Sequence, residues 1–216
     1  MSISEDPLLR GYPNRHDPFS MRRRAIMTCL GSALAVALLP SCSQESPQFK
    51  SVDITGADYA KDFSLVDHQG NKRSIGDFKG KVVTLFFGFT QCPEVCPTTM
   101  AEMAQVKKLL GADGDKLQVL FVTVDPDRDT PAIMREYMGN FDPGFLALVP
   151  TNAQLEATAK DFKIYYKKVE GNTSYTMDHT AGTYIFDPQG RIRLFSRYGS
   201  GAESVASDIR MLLKSA

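Results

Sequence analysis

Apolar runs and helical repeats alternate along the chain from Phe49 onward. Residues 81–89, KVVTLFFGF, and residues 117–124, LQVLFVTV, are nearly continuous in apolar, β-branched and aromatic residues, which is typical of strands covered on both faces. Between them, residues 97–110 carry apolar side chains at helical spacing and end at Gly111, which predicts a helix. This order of strand, helix and strand predicts an α/β fold.

Turn and capping residues place the other elements. Pro131 follows the capping oxygens of Asp129 and Thr130, and Thr151 or Asn152 can cap a later helix. The further predicted elements are a hairpin over residues 63–75, a helix over 131–139, a strand over 145–149, a helix over 152–162, a hairpin over 183–196 and a closing helix over 202–213. Together they predict a central mixed sheet flanked by helices, with an N-terminal hairpin extension.

The first 42 residues predict an export signal and not a part of the fold. Three arginines, residues 22–24, precede an apolar run over residues 25–39, which is shorter than the about 20 residues that a membrane-spanning helix needs. The run ends in Leu-Pro-Ser-Cys, which resembles a bacterial lipoprotein processing site with Cys42 as the lipidated residue. An uncleaved N-terminal signal anchor is the alternative. Both predict a domain that is anchored to the membrane and lies in the bacterial periplasm.

Length and charge indicate one globular domain after this leader. Residues 1–42 form the predicted leader and membrane anchor, residues 43–57 a linker and residues 58–216 the domain. The chain carries 25 basic and 25 acidic residues, and removing the leader leaves 20 and 22. Because this balance supplies no basic face, we expect no nucleic-acid partner.

Two cysteines stand four residues apart in the stretch FGFTQCPEVCPTT, residues 87–99. If Cys29 belongs to the signal and Cys42 carries lipid, Cys92 and Cys96 are the thiols of the exported domain. Each precedes a proline, which favours extended backbone, so we expect both in a loop and a helix that begins directly after Cys96. The helix N-terminus would then lower the pKa of the Cys96 thiol. The pair could serve a mutual disulfide, a substrate disulfide or a metal ion.

Two histidines lie in the predicted domain. His68 stands in a polar turn of the first hairpin, where we expect a solvated side chain. His179 follows Asp178 and precedes the strand that begins near Thr183. From the residues alone, His179 could be a hydrogen-bonded loop residue or a metal ligand.

Three motifs occur in order along the domain: the cysteine stretch FGFTQCPEVCPTT, VDPDRDT over residues 124–130 and DHT over residues 178–180. Together they resemble the Sco/SenC family of copper proteins, which assist the assembly of cytochrome c oxidase. The resemblance implies a thioredoxin-like fold. It also implies that Cys92, Cys96 and His179 bind copper, with one ion per chain.

Two thiolates and an imidazole form a soft donor set. Thiolates favour Cu(I), which accepts low coordination numbers, and imidazole also suits Cu(II). A structural zinc site normally has four protein ligands, and the sequence offers no fourth candidate. Asp178 is predicted to orient His179 by accepting from its outer ring nitrogen. Asp125 ends a predicted strand, and the resemblance implies a role near the metal loop or in docking.

The resemblance implies a membrane-tethered copper metallochaperone and thiol reductant. Its partners would be a copper donor protein and cytochrome c oxidase subunit II, whose copper site it would help to assemble. A redox or copper sensor that acts by binding alone is a further hypothesis.

A general periplasmic thiol–disulfide oxidoreductase or peroxidase, with Cys92 and Cys96 as its redox pair, is the main alternative. Dedicated thioredoxin-like oxidoreductases usually carry Cys-x-x-Cys, which is one residue tighter, and a proline before the strand that faces the dithiol. No proline occurs between Thr151 and Asp187. Disulfide reductase activity through the pair nevertheless stays open, because the fold alone does not fix the function.

Overall fold

The computed structural model describes residues 48–171 and 173–215. The predicted leader, with Cys29 and Cys42, and the first part of the predicted linker lie outside these residues. All described residues belong to one structural unit, Pro47–Ala216. No helix within the described ranges combines the length and the apolar character that crossing a membrane requires.

Ten strands and four α-helices are found in the described residues. The strands are β1 (Val52–Asp53), β2 (Leu65–Val66), β3 (Lys72–Arg73), β4 (Val82–Gly88), β5 (Leu117–Thr123), β6 (Leu146–Leu148), β7 (Tyr166–Glu170), β8 (Tyr175–His179), β9 (Gly182–Phe186) and β10 (Ile192–Arg197). The helices are α1 (Val95–Leu110), α2 (Pro131–Gly139), α3 (Asn152–Asp161) and α4 (Ala202–Lys214).

Six of the strands form one mixed sheet in the order β1-β10-β9-β4-β5-β6. β4, β5 and β6 run parallel, whereas β9 is antiparallel to β4, β10 to β9 and β1 to β10. Every residue of β4 and β5 is buried, as their continuous apolar runs predict. The predicted central mixed sheet flanked by helices is confirmed.

The register of β4 brings three segments of the chain to one edge of the sheet. Gly88, at the end of β4, pairs with Thr123 at the end of the parallel strand β5. On the other side of β4, Phe86 pairs with Thr183 near the start of the antiparallel strand β9. The loop after β4, the loop after β5 and the segment that enters β9 therefore meet at this edge. Open α/β sheets commonly bind their ligands at such an edge.

Helix α1 begins earlier than the prolines predict. Glu94 is its N-cap and Val95 its first residue, so Cys96 lies inside the first turn and not in the preceding loop. Pro97 is tolerated there because the amides of the first turn have no partner within the helix.

The caps of the next two helices follow the predicted residues. Thr130 accepts a hydrogen bond from the N–H of Ile133 at the start of α2, where Pro131 is the first residue. Thr151 caps α3 and forms a capping box with Gln154.

Strands β7 and β8 form a hairpin that the sequence pattern did not predict. They pair from Tyr166 opposite His179 to Glu170 opposite Tyr175. β7 is mostly exposed and carries no apolar alternation. In β8, Tyr175, Met177 and His179 are half-buried and alternate with exposed residues, so one face of the strand lies against the domain. His179 is thus the last residue of a strand and not a loop residue.

His68 is buried and not solvated, which corrects the prediction for the first hairpin. His68 is only 5% exposed, and its Nδ1 accepts a hydrogen bond from the N–H of Ala147 at 3.0 Å. The backbone N–H of His68 donates to the carbonyl of Ala147 at 2.8 Å. Burial lowers the pKa of His68 and keeps the ring neutral. The side chain therefore joins the N-terminal hairpin to β6.

Asp187 closes the turn between β9 and β10. The residue is 1% exposed, and its carboxylate accepts hydrogen bonds from the backbone of Gln189 and Arg191 and from the guanidinium groups of Arg191 and Arg193. Burial alone would raise the pKa of Asp187, but these hydrogen bonds together bring it below its ordinary value. The ionised carboxylate therefore stabilises the folded state.

We expect Asp187→Asn to lower the free energy of unfolding by about 2 kcal/mol near pH ~7, because the amide cannot replace charge-assisted hydrogen bonds. This stabilisation is present above the unfolded pKa of the carboxyl group and is lost as the pH falls through the lower folded pKa. The two proteins should therefore converge near pH ~2. Urea denaturation across this range measures the difference, with Asp115→Asn at an exposed position as the control. A difference that does not change with pH would contradict the assignment.

Candidate metal centre

Two sulfur atoms and one imidazole nitrogen converge at the edge of the sheet described above. Cys92 lies in the loop after β4, Cys96 in the first turn of α1 and His179 at the end of β8. One ligand atom from each side chain lies within 4.8 Å of the other two. Cys96 Sγ and His179 Nε2 are 3.6 Å apart. The fold thus brings together side chains that are far apart in the sequence.

A buried carboxylate holds the loop that carries Cys92. Asp129 is fully buried and accepts hydrogen bonds from the N–H and the Oγ1 of Thr90 at 3.1 Å and 2.5 Å. It also accepts from Thr123 Oγ1 at 2.6 Å. Burial raises the pKa of Asp129, and these three hydrogen bonds oppose that shift. The carboxylate therefore ties the loop after β4 to the end of β5, and Thr130 caps the helix in its place.

The hydrogen bond of His179 determines which ring nitrogen faces the thiols. Nδ1 lies 3.1 Å from the carbonyl oxygen of Thr180, which can only accept, so Nδ1 carries the proton of the neutral ring. Nε2 then points an unprotonated lone pair toward Cys96. Burial lowers the pKa of His179, which favours the neutral ring that metals bind. The predicted partner of the outer nitrogen, Asp178, is exposed, and Thr180 takes its place.

The two cysteines lie in different environments. Cys96 is fully buried, whereas Cys92 is half-buried. Burial raises the pKa of the Cys96 thiol above its ordinary value, which overturns the prediction that the helix N-terminus lowers it. The backbone N–H of Cys96 instead donates to Cys92 Sγ at 3.4 Å. The amide of Cys96, in the first turn of α1, therefore donates to the sulfur of Cys92, which is the cysteine that an incoming partner can reach.

The carboxylate of Asp125 contacts the hairpin that carries His179. It is buried, accepts the hydroxyl of Tyr175 at 2.8 Å and forms an ion pair with Arg128. Its backbone N–H donates to Thr123 Oγ1 at 2.9 Å. Asp125 thus lies between the end of β5 and the start of β8.

The donor set fits a soft metal ion. Bonds between zinc and sulfur are about 2.3 Å long, so three donors spread evenly around one ion lie about 4.0 Å from each other. The three ligand atoms here lie within 4.8 Å of one another, so a side-chain adjustment of less than about 1 Å would bring them around one ion. Within residues 48–171 and 173–215, no further histidine, cysteine or carboxylate joins this group. Two thiols and one imidazole suit copper better than structural zinc, which normally has four protein ligands.

Comparison with known proteins identifies the family. A family profile described as SCO1/SenC matches residues 52–214. The chain belongs to the SCO1/SenC family. A SCO2-like protein of Rickettsia felis is 31% identical over 171 residues, which cover 77% of this chain and 83% of the relative.

Solved structures of Sco proteins share the fold of this chain. ScoI of Bradyrhizobium japonicum with copper bound is 38% identical and has a TM-score of 0.65, over 70% of this chain and 97% of that one. The apo Sco1 protein of Thermus thermophilus is 34% identical and has a TM-score of 0.68, over 76% of this chain and 97% of that one. The resemblance to the Sco/SenC family and the thioredoxin-like fold are thereby confirmed.

Gly88 is a residue of the site that the sequence analysis did not single out. A Cβ at this position would lie 2.8 Å from Cys96 Sγ and 2.7 Å from Phe86 Cε1. The missing side chain therefore makes room for the buried sulfur. The sequence did contain a signal, because an isolated glycine within an apolar strand often marks a close approach of another group.

We expect Gly88→Ala to displace the sulfur of Cys96 and to lower the free energy of unfolding by about 2 kcal/mol, because the rings around it cannot yield. Copper(I) affinity should fall as well, since one sulfur no longer lies where the other two donors meet. Competition with a colorimetric Cu(I) chelator and urea denaturation measure the two effects. Gly139→Ala is the matched control, because a Cβ there meets no atom within 4 Å. Unchanged copper binding in Gly88→Ala would show that the sulfur has freedom to move.

Proposed function

We propose that Cys92, Cys96 and His179 bind one copper ion per chain and that this protein acts as a copper metallochaperone and thiol reductant. Members of the Sco family are copper-binding assembly proteins of cytochrome c oxidase. The observation that carries the proposal for this chain is the convergence of three soft donor atoms within 4.8 Å. In this role the protein would assist assembly of the copper site of the oxidase.

The chemistry of the donors supports both oxidation states of copper. Two thiolates are suited to Cu(I), and an imidazole with an unprotonated Nε2 adds a ligand that Cu(II) also accepts. The half-buried Cys92 gives an incoming thiolate access to the ion, so that copper can pass between proteins through shared ligands. The cargo ion need never be released into solvent.

The same pair of thiols supports reduction of a partner disulfide. Cys92, the more accessible sulfur, would attack one sulfur of that disulfide and release the other as a thiol. Cys96 would then attack the mixed disulfide, release the second partner thiol and form a Cys92–Cys96 disulfide. The partner gains two electrons and this protein loses two.

The partners and the location rest on the sequence and the family. The proposed acceptor is cytochrome c oxidase subunit II, and a copper donor protein would load the site. The proposed location is the bacterial periplasm, with the membrane anchor provided by a lipidated Cys42 or by an uncleaved N-terminal segment.

A general thiol–disulfide oxidoreductase is the second candidate function, and the unequal exposure of Cys92 and Cys96 favours it as a partial activity. His179 counts against it as the main activity, because this imidazole lies beside the thiols at 3.6 Å from Cys96 Sγ. A dedicated dithiol enzyme has no need for a third soft ligand at that place.

We expect the purified, reduced full-length chain to bind one equivalent of copper tightly. Cys92→Ser and Cys96→Ser should each weaken copper binding by about 100-fold or more, since even the partners of metal ligands change affinity by up to that factor. His179→Ala should weaken Cu(II) most, because the thiolates that remain favour Cu(I). Titration with Cu(II) and competition for Cu(I) measure both affinities.

His68→Asn is the matched control for this experiment. It removes the second histidine of the described residues, which packs against β6 and is expected to affect stability alone. If His179→Ala retained full affinity for Cu(I) and Cu(II) while the wild-type protein reduced disulfides with high turnover, the oxidoreductase would replace the metallochaperone as the main function.

A further inference from the structure

We propose that Arg128 is a positioning residue that holds His179 over the two thiols. The proposal rests on the proposed copper site and adds a residue that is not one of its ligands. Arg128 lies in the loop between β5 and α2, within the motif VDPDRDT. No pattern in the sequence points to a role for this arginine.

The guanidinium of Arg128 joins three segments of the chain. Its Nε donates to the carboxylate of Asp125 in its own loop. Its Nη1 donates to Gln91 Oε1 at 2.9 Å, directly before the first cysteine, and to the backbone carbonyl of Tyr175 at 2.8 Å, in the hairpin. The guanidinium carbon also lies 3.7 Å from the centroid of the Tyr175 ring. One planar cation therefore links the thiol loop to the strand that ends in His179.

The hairpin needs such an attachment because it does not belong to the main sheet. In the described residues, β7 and β8 pair with each other as a separate two-stranded sheet. The backbone hydrogen bonds of the large sheet therefore hold the start of β9, three residues after His179, but they do not hold β8 itself. Tyr175 and His179 lie four residues apart on the same half-buried face of β8. A contact that fixes Tyr175 thus also limits where the imidazole can lie.

The other contacts of this face are apolar or aromatic, and Met177 packs against the hydrophobic core. The imidazole of His179 meets the rings of Phe86 and Phe89 edge to face, with centroids 6.0 Å and 5.8 Å apart. Such aromatic pairs contribute about 1 kcal/mol each. The hydroxyl of Tyr175 adds a hydrogen bond to Asp125, so the ion pair of Asp125 and Arg128 lies at the centre of the attachment. Charge-assisted hydrogen bonds are roughly twice as strong as neutral ones.

This arrangement predicts a selective effect on the two oxidation states of copper. Without the Arg128 contacts, the hairpin would move away and take the imidazole with it. The bond to Gln91 would be lost, but the two thiols would stay close together, because Asp129 still holds the loop at Thr90 and Cys96 lies within helix α1. Two thiolates still suit Cu(I), whereas Cu(II) depends more on the imidazole. Arg128 thus controls Cu(II) binding without touching the ion.

The test compares Arg128→Gln with the wild-type full-length chain. We expect Cu(II) affinity to fall by about tenfold or more and Cu(I) affinity by less than about threefold. The nitrogen hyperfine splitting in the EPR spectrum of the Cu(II) form should weaken or vanish. Arg128→Lys restores the charge beside Asp125 but cannot reach both Gln91 and Tyr175, so it should resemble Arg128→Gln.

Two further variants make the test specific. Tyr175→Leu removes the ring and hydroxyl of the hairpin but leaves the pair of Arg128 and Asp125 and the bond to the backbone carbonyl intact, so it should give a smaller preference for Cu(I) in the same direction. This variant covers the case that Arg128→Gln fails to fold because Asp125 is left buried and unpaired. Arg135→Gln is the matched control, since this arginine donates to a backbone carbonyl, that of His68, at 3.0 Å and should leave both affinities unchanged.

A measurement without copper separates this inference from the proposed function. In the metal-free wild-type chain, NMR should show contacts between the His179 ring and the rings of Phe86 and Phe89. These contacts should disappear in Arg128→Gln and persist in Arg135→Gln. The inference fails if they persist in Arg128→Gln, or if both copper affinities fall by the same factor. Wild-type protein that binds no copper would overturn the proposed function instead. The NMR result would still show whether Arg128 holds His179 in position.

Discussion

The register of β4 against its two neighbours is the constraint on which the site depends. Seven consecutive buried residues of β4 lie against seven of β5, and antiparallel β9 pairs with the other side of β4. A shift by one residue would turn every side chain to the opposite face of the sheet, and because both faces of β4 are buried, the side chains would no longer fit the close-packed core. The pairing is therefore fixed by the core, far from any chemistry. Its consequence is that Gly88, Thr123 and the entry to β9 meet at one edge, where the thiols and the imidazole are then placed.

Two buried aspartates at that edge hold the parts of the site that lie outside the large sheet. Asp125 and Asp129 are both buried, and a carboxylate in such a place is costly unless hydrogen bonds satisfy it. Each has its own set of partners: Asp129 binds Thr90 and Thr123, whereas Asp125 binds Arg128 and Tyr175. One carboxylate therefore fixes the loop of Cys92 and the other fixes the strand of His179. The two buried carboxylates of the motif VDPDRDT therefore act as attachments, whereas its last residue, Thr130, caps α2.

Sequence reasoning was sufficient for the features that local patterns or the three motifs specify. The central strands, the cap residues Thr130 and Thr151 and the choice of Cys92, Cys96 and His179 as candidate ligands came from such signals. Burial was not predictable in the same way. His68 stands in a polar turn yet packs against β6, and Cys96 stands at a helix start yet is shielded, so that burial outweighs the helix dipole in its pKa. The hairpin of β7 and β8 was missed because YKKVE is mostly exposed and shows no alternation. These outcomes depend on tertiary contacts that no short window of sequence contains.

The three candidate ligands differ in how deeply the fold buries them, and this difference is compatible with the proposed role as a copper carrier. Cys96 is buried in the first turn of α1, and its sulfur lies against Gly88, where a side chain would clash with it. Cys92 lies in a loop and is half-buried, and His179 ends a hairpin outside the main sheet. A soft ion held by one fully buried and two half-buried donors can exchange ligands one at a time, beginning at the exposed side. If the three side chains bind copper as proposed, stepwise exchange from the exposed side would leave the buried Cys96 as the last ligand on the ion.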